Sequence, residues 1–154
     1  MNFEHTEKTK KLMSLVSDFI ETRIKPKEQI YADEMLAFRE SGDPWQVPNV
    51  LNDLKEKAKD LGLWNFSLTG DLGYGLSNLE FAPLAEMMGV GWTSEVFNSS
   101  APDAGNMEVL DKYGSDYQKE KWLSRLLNGE IRSAFAMTEP VSYTHLRAHE
   151  TSYD

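Results

Sequence analysis

Two apolar stripes at helical spacing constrain this chain more than any other feature. Leu12, Leu15, Val16, Phe19, Ile20 and Ile24 recur at i, i+3, i+4 and i+7, the spacing that lines one face of an α-helix. Val50, Leu51, Leu54, Ala58 and Leu61 repeat that pattern. Each stripe needs a second apolar surface to cover it, so the pattern predicts helices packed on helices with both stripes buried. Pro26 predicts a stop for the first helix near Ile24, because the residue before a proline avoids the α region. Glu28 to Phe38 carries Ile30, Met35, Leu36 and Phe38 without clean spacing and is ambiguous. Ser41-Gly42-Asp43-Pro44 predicts a loop over 39–47. Pro48 stands where a first helical turn tolerates proline, and Gly62 stands at the usual place for a left-handed C-cap.

The rest of the chain is punctuated by caps and glycines. Leu63 to Leu68 is short and apolar, which predicts an extended segment, and Gly70, Gly73 and Gly75 predict a loop. Ser77 with Glu80, and Ser115 with Gln118, read as capping boxes. Behind the first box, Phe81, Leu84, Ala85 and Met88 form a helical face that Gly89 closes, with a kink expected at Pro83. Met107 to Tyr113 predicts a short helix. Trp122, Leu123, Leu126 and Leu127 face inward behind the second box, before Asn128-Gly129. Ile131 to Met137 reads as a strand. The fold class is therefore mainly α: five or six helices over residues 6–128, then a strand near 131–137.

Composition excludes several functions. The 154 residues include no cysteine, so there is no disulfide scaffold, thiol nucleophile or thiolate metal site. A net charge of −9 repels phosphate backbones and argues against nucleic-acid binding. No uninterrupted apolar run exceeds four residues, so no membrane span is expected. The first residues resemble neither a secretory signal nor a transit peptide, and the default placement is cytoplasmic. Gly73-Tyr74-Gly75 has Asn78 where a dinucleotide fingerprint needs its third glycine. His145 and His149 are four apart but lack the glutamate directly after the first histidine, so they read as a solvated tail and no metal site is assigned. Asp53, Glu56 and Asp60 alternate with Lys55, Lys57 and Lys59 as a solvated helix face.

A resemblance enters over three stretches. Tyr113-Gly114 through Gln118-Lys119 to Trp122-Leu123, then Asn128-Gly129-Glu130, then Phe135-Ala136-Met137-Thr138-Glu139-Pro140, resembles the flavin-dependent acyl-CoA dehydrogenase family. Pro48 to Leu68, Gly75 to Glu86, and Val96 to Leu110 resemble the branch whose animal members are fused to an aminoglycoside-phosphotransferase-like kinase domain. The resemblance covers roughly residues 5–140.

The resemblance implies a subunit with an N-terminal helical domain, a middle β domain and a C-terminal helical domain. Residues 1–130 would be the first, and 131–140 the opening strand of the second, truncated here. Residues 141–154 resemble a translated sequencing-adapter read-through and are expected to be a non-native tail. The implied reaction is α,β-dehydrogenation of acyl-CoA thioesters, of the fatty-acid β-oxidation type, with FAD as cofactor and an electron-acceptor flavoprotein as partner. The parent is expected to be a homo-oligomer. The family's catalytic base lies in the C-terminal domain, so no catalytic residue is assigned here and this chain alone is expected to be inactive. Phe135, Ala136, Met137 and Thr138 match the strand along the isoalloxazine edge, and Val96, Phe97, Asn98, Ser99 and Ser100 match the segment lining the acyl tunnel. Two alternatives stay open: a non-enzymatic helical module binding acyl groups or partners, and a related flavoprotein oxidase or monooxygenase of the same fold. A chain lacking the other domains is also expected to leave Phe97, Met107, Phe135 and Met137 uncovered.

Overall fold

The computed structural model describes residues 4–68, 70–90 and 92–137. The structural elements are α1 (Glu7–Phe19), α2 (Glu28–Glu40), α3 (Asn49–Asp60), α4 (Asn78–Met88), the short α5 (Thr93–Val96), α6 (Asp103–Tyr113), the single turn α7 (Asp116–Gln118) and α8 (Ser124–Leu127). Helix α1 packs on α4, and α3 on α5.

Local chemistry accounts for most of these boundaries. Thr6 caps α1 by accepting from the Thr9 amide. Both predicted capping boxes form, Ser77 with Glu80 on α4 and Ser115 with Gln118 on α7. Gly62 follows α3 with φ +69, the left-handed conformation expected of it.

Pro26 does not stop the first helix. The chain widens into a π turn over Ile20–Ile24, tightens into a 3-10 turn over Lys25–Lys27 and runs on as α2. The Lys25 amide reaches back to the Ile20 carbonyl, and Pro26 has no amide for Thr22 and would crowd its carbonyl in a regular helix. The detour keeps Ile24 buried. The ambiguous stretch 28–38 is thus helical, but α2 buries none of its residues. Tyr31 ties it down by stacking on Trp92, rings 4.2 Å apart and 2° from parallel, and Glu34 accepts from the Val50 amide at 3.2 Å.

Two apolar clusters make the core. The larger gathers Leu12, Val16, Phe19 and Ile24 of the first stripe, Val50, Leu51, Leu54 and Ala58 of the second, and Leu84, Met88, Val96 and Phe97. The smaller holds Leu68, Met107, Leu123 and Leu126. The stripes are buried as predicted except at their margins, where Leu15 and Leu61 face solvent. Leu61 sits at the C-cap of α3, just past the last helical residue.

Three further expectations need correction. Residues 63–68 form a turn-containing irregular segment, not an extended one. Helix α6 starts at Asp103, four residues before the predicted Met107. Residues 132–137 carry no regular secondary structure in place of the expected strand, since strand pairing needs a neighbouring ladder and none is present among the described residues.

Candidate functional site

The two segments singled out in the sequence, 96–100 and the described part of 135–138, residues 135–137, flank the first turn of α6. Its first residue, Asp103, is 2% exposed and sits at the centre of the arrangement. Its carboxylate accepts from the Ser133 amide at 2.7 Å, from the Ser133 hydroxyl at 2.6 Å and from Arg132 Nε at 2.6 Å. The Ser133 oxygen in turn accepts from Asn106 Nδ2 at 2.9 Å, and Arg132 Nη1 reaches Glu95 on α5 at 3.0 Å. A buried carboxylate is costly unless paired and hydrogen-bonded, and this one is both.

The electrostatics around it are closed. Burial works against the Arg132 charge, but Glu95 and Asp103 outweigh it and hold the guanidinium above its ordinary value. Lys55 on α3 is pulled below its ordinary value, first by burial and then by Arg132, against the opposing pull of Glu95 and Asp103. Burial pushes the Tyr31 hydroxyl up, and Glu95 adds to it. These charges answer one another, Arg132 with Glu95 and Asp103.

Beyond Ser133 the segment is open. Phe135 is 56% and Met137 70% exposed, and Ala136 is exposed between them. A Cβ on Gly105 would lie 3.7 Å from the Phe135 ring edge, an ordinary contact. Thr138 lies outside the described residues, as do His145 and His149.

The 96–100 segment divides. Val96 and Phe97 are fully buried, and the Phe97 ring meets Phe19 at 5.5 Å and Phe66 at 6.0 Å. Met107 is fully buried as well, so the expectation that Phe97 and Met107 stand uncovered is overturned, while Phe135 and Met137 do stand uncovered. Helix packing within this chain covers the first pair without help from another domain. Asn98 spends its side-chain amide on Asn65 Oδ1 and the Leu126 carbonyl. Ser99 and Ser100 are half-buried, with the Ser99 hydroxyl on the Phe97 carbonyl.

Sequence reasoning missed Asp103, Arg132, Ser133 and Asn106. Two signals were present. An acidic residue follows Pro102 where a helix can begin, and Arg132 interrupts an apolar run. Neither said that the two would meet. Between α6 and residues 131–133 lies a groove of about 270 Å³, walled by Val109, Leu110, Trp122 and Ile131.

A mainly helical N-terminal unit is what the earlier resemblance implied. The family profile "Acyl-CoA dehydrogenase, N-terminal domain" matches residues 6–130. The chain belongs to the acyl-CoA dehydrogenase family, as its N-terminal domain. It is 46% identical over 138 residues to "Acyl-CoA dehydrogenase family member 10" of Mus musculus, an alignment covering 85% of this chain and 12% of the relative. It is 42% identical over 139 residues to "Acyl-CoA dehydrogenase family member 11" of Homo sapiens, covering 90% of this chain and 18% of the relative. These relatives match the branch that residues 48–110 resemble. The solved "Structure of a putative acyl-CoA dehydrogenase from Mycobacterium abscessus" superposes with a TM-score of 0.81 at 48% identity, over 89% of this chain and 35% of that one. The chain thus spans well under half the length of each. No helix among the described residues is long and apolar enough to cross a membrane.

Proposed function

We propose that this chain serves as the N-terminal helical part of an FAD-dependent enzyme that dehydrogenates acyl-CoA thioesters between Cα and Cβ, in the manner of fatty-acid β-oxidation. The observation that carries the reading is the segment after α8, held at Arg132 and Ser133 and open at Phe135 and Met137. Residues 1–130 form the helical domain, 131–140 lead into a middle domain, and 141–154 are foreign to the parent protein. FAD, when bound, supplies the two-electron acceptor for the hydride that leaves the β-carbon.

The residues fit such a group. Phe135 and Met137 offer exposed apolar surface to a flat ring, and the backbone of 134–137 has no ladder partner among the described residues. In this reading Phe135, Ala136 and Met137 exclude water from the ring edge, and the Thr138 hydroxyl donates to its polar side. Ser99 and Ser100, half-buried at the start of the α5–α6 connection, stand nearest the acyl chain. Val96, Phe97 and Asn98 back them from the core. We assign no base among these residues. The partners of the parent are the acyl-CoA, an electron-acceptor flavoprotein and further copies of itself, and its compartment is the cytoplasm.

A chimaera tests the proposal. Residues 6–137 would replace the matching part of the Mycobacterium abscessus protein. The chimaera is expected to purify yellow, with FAD, and to reduce a dye acceptor when given acyl-CoA. A soluble, folded chimaera without bound flavin or turnover would overturn the reading.

A further inference from the structure

We infer that Asp103 is a positioning residue: it sets where residues 134–137 leave the helical unit. The inference rests on the proposal that this segment borders the cofactor, and it concerns the anchor, not the segment's chemistry. Asp103 is nearly fully buried, and its side chain is spent on residues far along the chain. Its three donors come from residues 29 and 30 positions away, two from Ser133 and one from Arg132.

Two consecutive residues are therefore gripped. Ser133 is held from inside, by Asp103 on its amide and hydroxyl and by Asn106 on its oxygen. Arg132 is held across the surface, between Asp103 and Glu95. Fixing two neighbouring residues fixes the heading of the backbone as well as its place. Ile131, just before them, packs on the smaller apolar cluster, but past Ser133 the described segment is open. The residues from Ala134 to Met137 are exposed, carry no regular structure and bury little apolar area. The Gly105–Phe135 approach leaves ordinary van der Waals space, so it does not wedge the segment either. Because Glu95 precedes the 96–100 segment on α5 and Asp103 follows it on α6, the grip ties residues 134–137 to the two ends of the segment proposed to line the acyl chain.

A role confined to stability would loosen the whole domain when removed; a positioning role loosens one segment. Hydrogen exchange on the 154-residue chain separates them, together with a reporter tryptophan at Phe135→Trp. In Asp103→Ala, amides of 131–137 are expected to exchange roughly tenfold faster or more, while peptides from α1 and α3 keep wild-type rates. The reporter's anisotropy should fall. Asp103→Asn keeps an acceptor for Ser133 but loses the charge for Arg132, and should restore much of the protection. Unchanged exchange at 131–137, or an equal rise across α1 and α3, would overturn the inference. If Asp103→Ala does not fold, Arg132→Gln, at the exposed end of the grip, is expected to give a smaller rise confined to 131–137, and no rise there would count against it. No flavin enters these measurements, so they stand or fall apart from the chimaera. In a chimaera that holds FAD, Asp103→Ala is expected to lower flavin occupancy and shift its visible absorption band. A loosened segment with flavin unmoved would leave Asp103 a local anchor and overturn its positioning role.

Discussion

Asn65 and Asn98 face each other where the two apolar clusters meet, both with left-handed backbones, and the Asn98 amide nitrogen lies 2.7 Å from the Asn65 side-chain oxygen. The pair closes a chain of bonds that neither cluster makes alone. Asn98 also donates to the Leu126 carbonyl at 3.0 Å, Asn65 to the Leu127 carbonyl at 3.1 Å, and the Asn65 amide to the Phe97 carbonyl at 3.0 Å. Leu126 belongs to the smaller cluster and Phe97 to the larger, so two short polar side chains weld them. Asparagine suits the task because it tolerates φ near +50° and carries both a donor and an acceptor.

Asn98→Ala is expected to destabilise the fold by about 2–4 kcal/mol, from orphaned acceptors and alanine in a left-handed position. Asn98→Gly loses the same bonds but not the backbone fit, and should unfold about 1 kcal/mol later than the alanine variant. Urea denaturation measures both. An alanine variant as stable as its parent would show that the bridge is ornamental.

Phe97→Ala is expected to cost about 3–5 kcal/mol, the loss typical of an aromatic deleted from a core. The ring is fully buried against Phe19 and Phe66, so the effect should appear in thermal unfolding without any ligand. A variant that melts like wild type would return Phe97 to the ligand side of the molecule.

Glu80 gives a pH dependence of known sign. Bonds from the Ser77 amide first and the Ser77 hydroxyl second hold its carboxyl below the ordinary value. A carboxyl depressed on folding contributes stability above its unfolded value near 4.5, and that contribution is lost as pH falls through the lower folded value. The stability difference between wild type and Glu80→Gln should therefore be present at neutral pH and shrink as the solution is acidified below that value. Ser77→Ala, removing the cap itself, is expected to cost about 1 kcal/mol. A difference that grows on acidification would contradict the capping geometry.

Gly129→Ala should be costly at a single turn. Gly129 has φ +69, and a Cβ there would lie 2.9 Å from Trp64 Cζ2. Trp64 cannot swing away freely, since its indole nitrogen donates to the Leu127 carbonyl at 2.7 Å. A loss of about 2 kcal/mol and altered tryptophan emission are expected, read by melting and fluorescence. An alanine variant unchanged in both would show that the turn relaxes.

Signals that act within a few residues were legible in the chain. Stripes at helical spacing placed α1, α3 and α4, serine caps placed the starts of α4 and α7, and Gly62 marked the end of α3. Each works because an unsatisfied amide or an apolar face finds its answer one turn away. The resemblance rested on the same local strings and reached the family without any contact being known.

Contacts between distant residues were not legible, because their energy depends on what the fold brings alongside. Tyr31 holds an otherwise exposed helix only because Trp92 lies against it. Phe97 is core because Phe19 and Phe66 close on it. Residues 131–137 have the composition of a strand but no neighbour to pair with among the described residues. Asp103 and Ser133 are 30 positions apart, and no periodicity relates them. Spacing and caps in the sequence determined which stretches are helical. Only the tertiary structure decided which side chains, like Phe97 and Met107, are spent holding the domain together, because burial is a property of neighbours and not of residues.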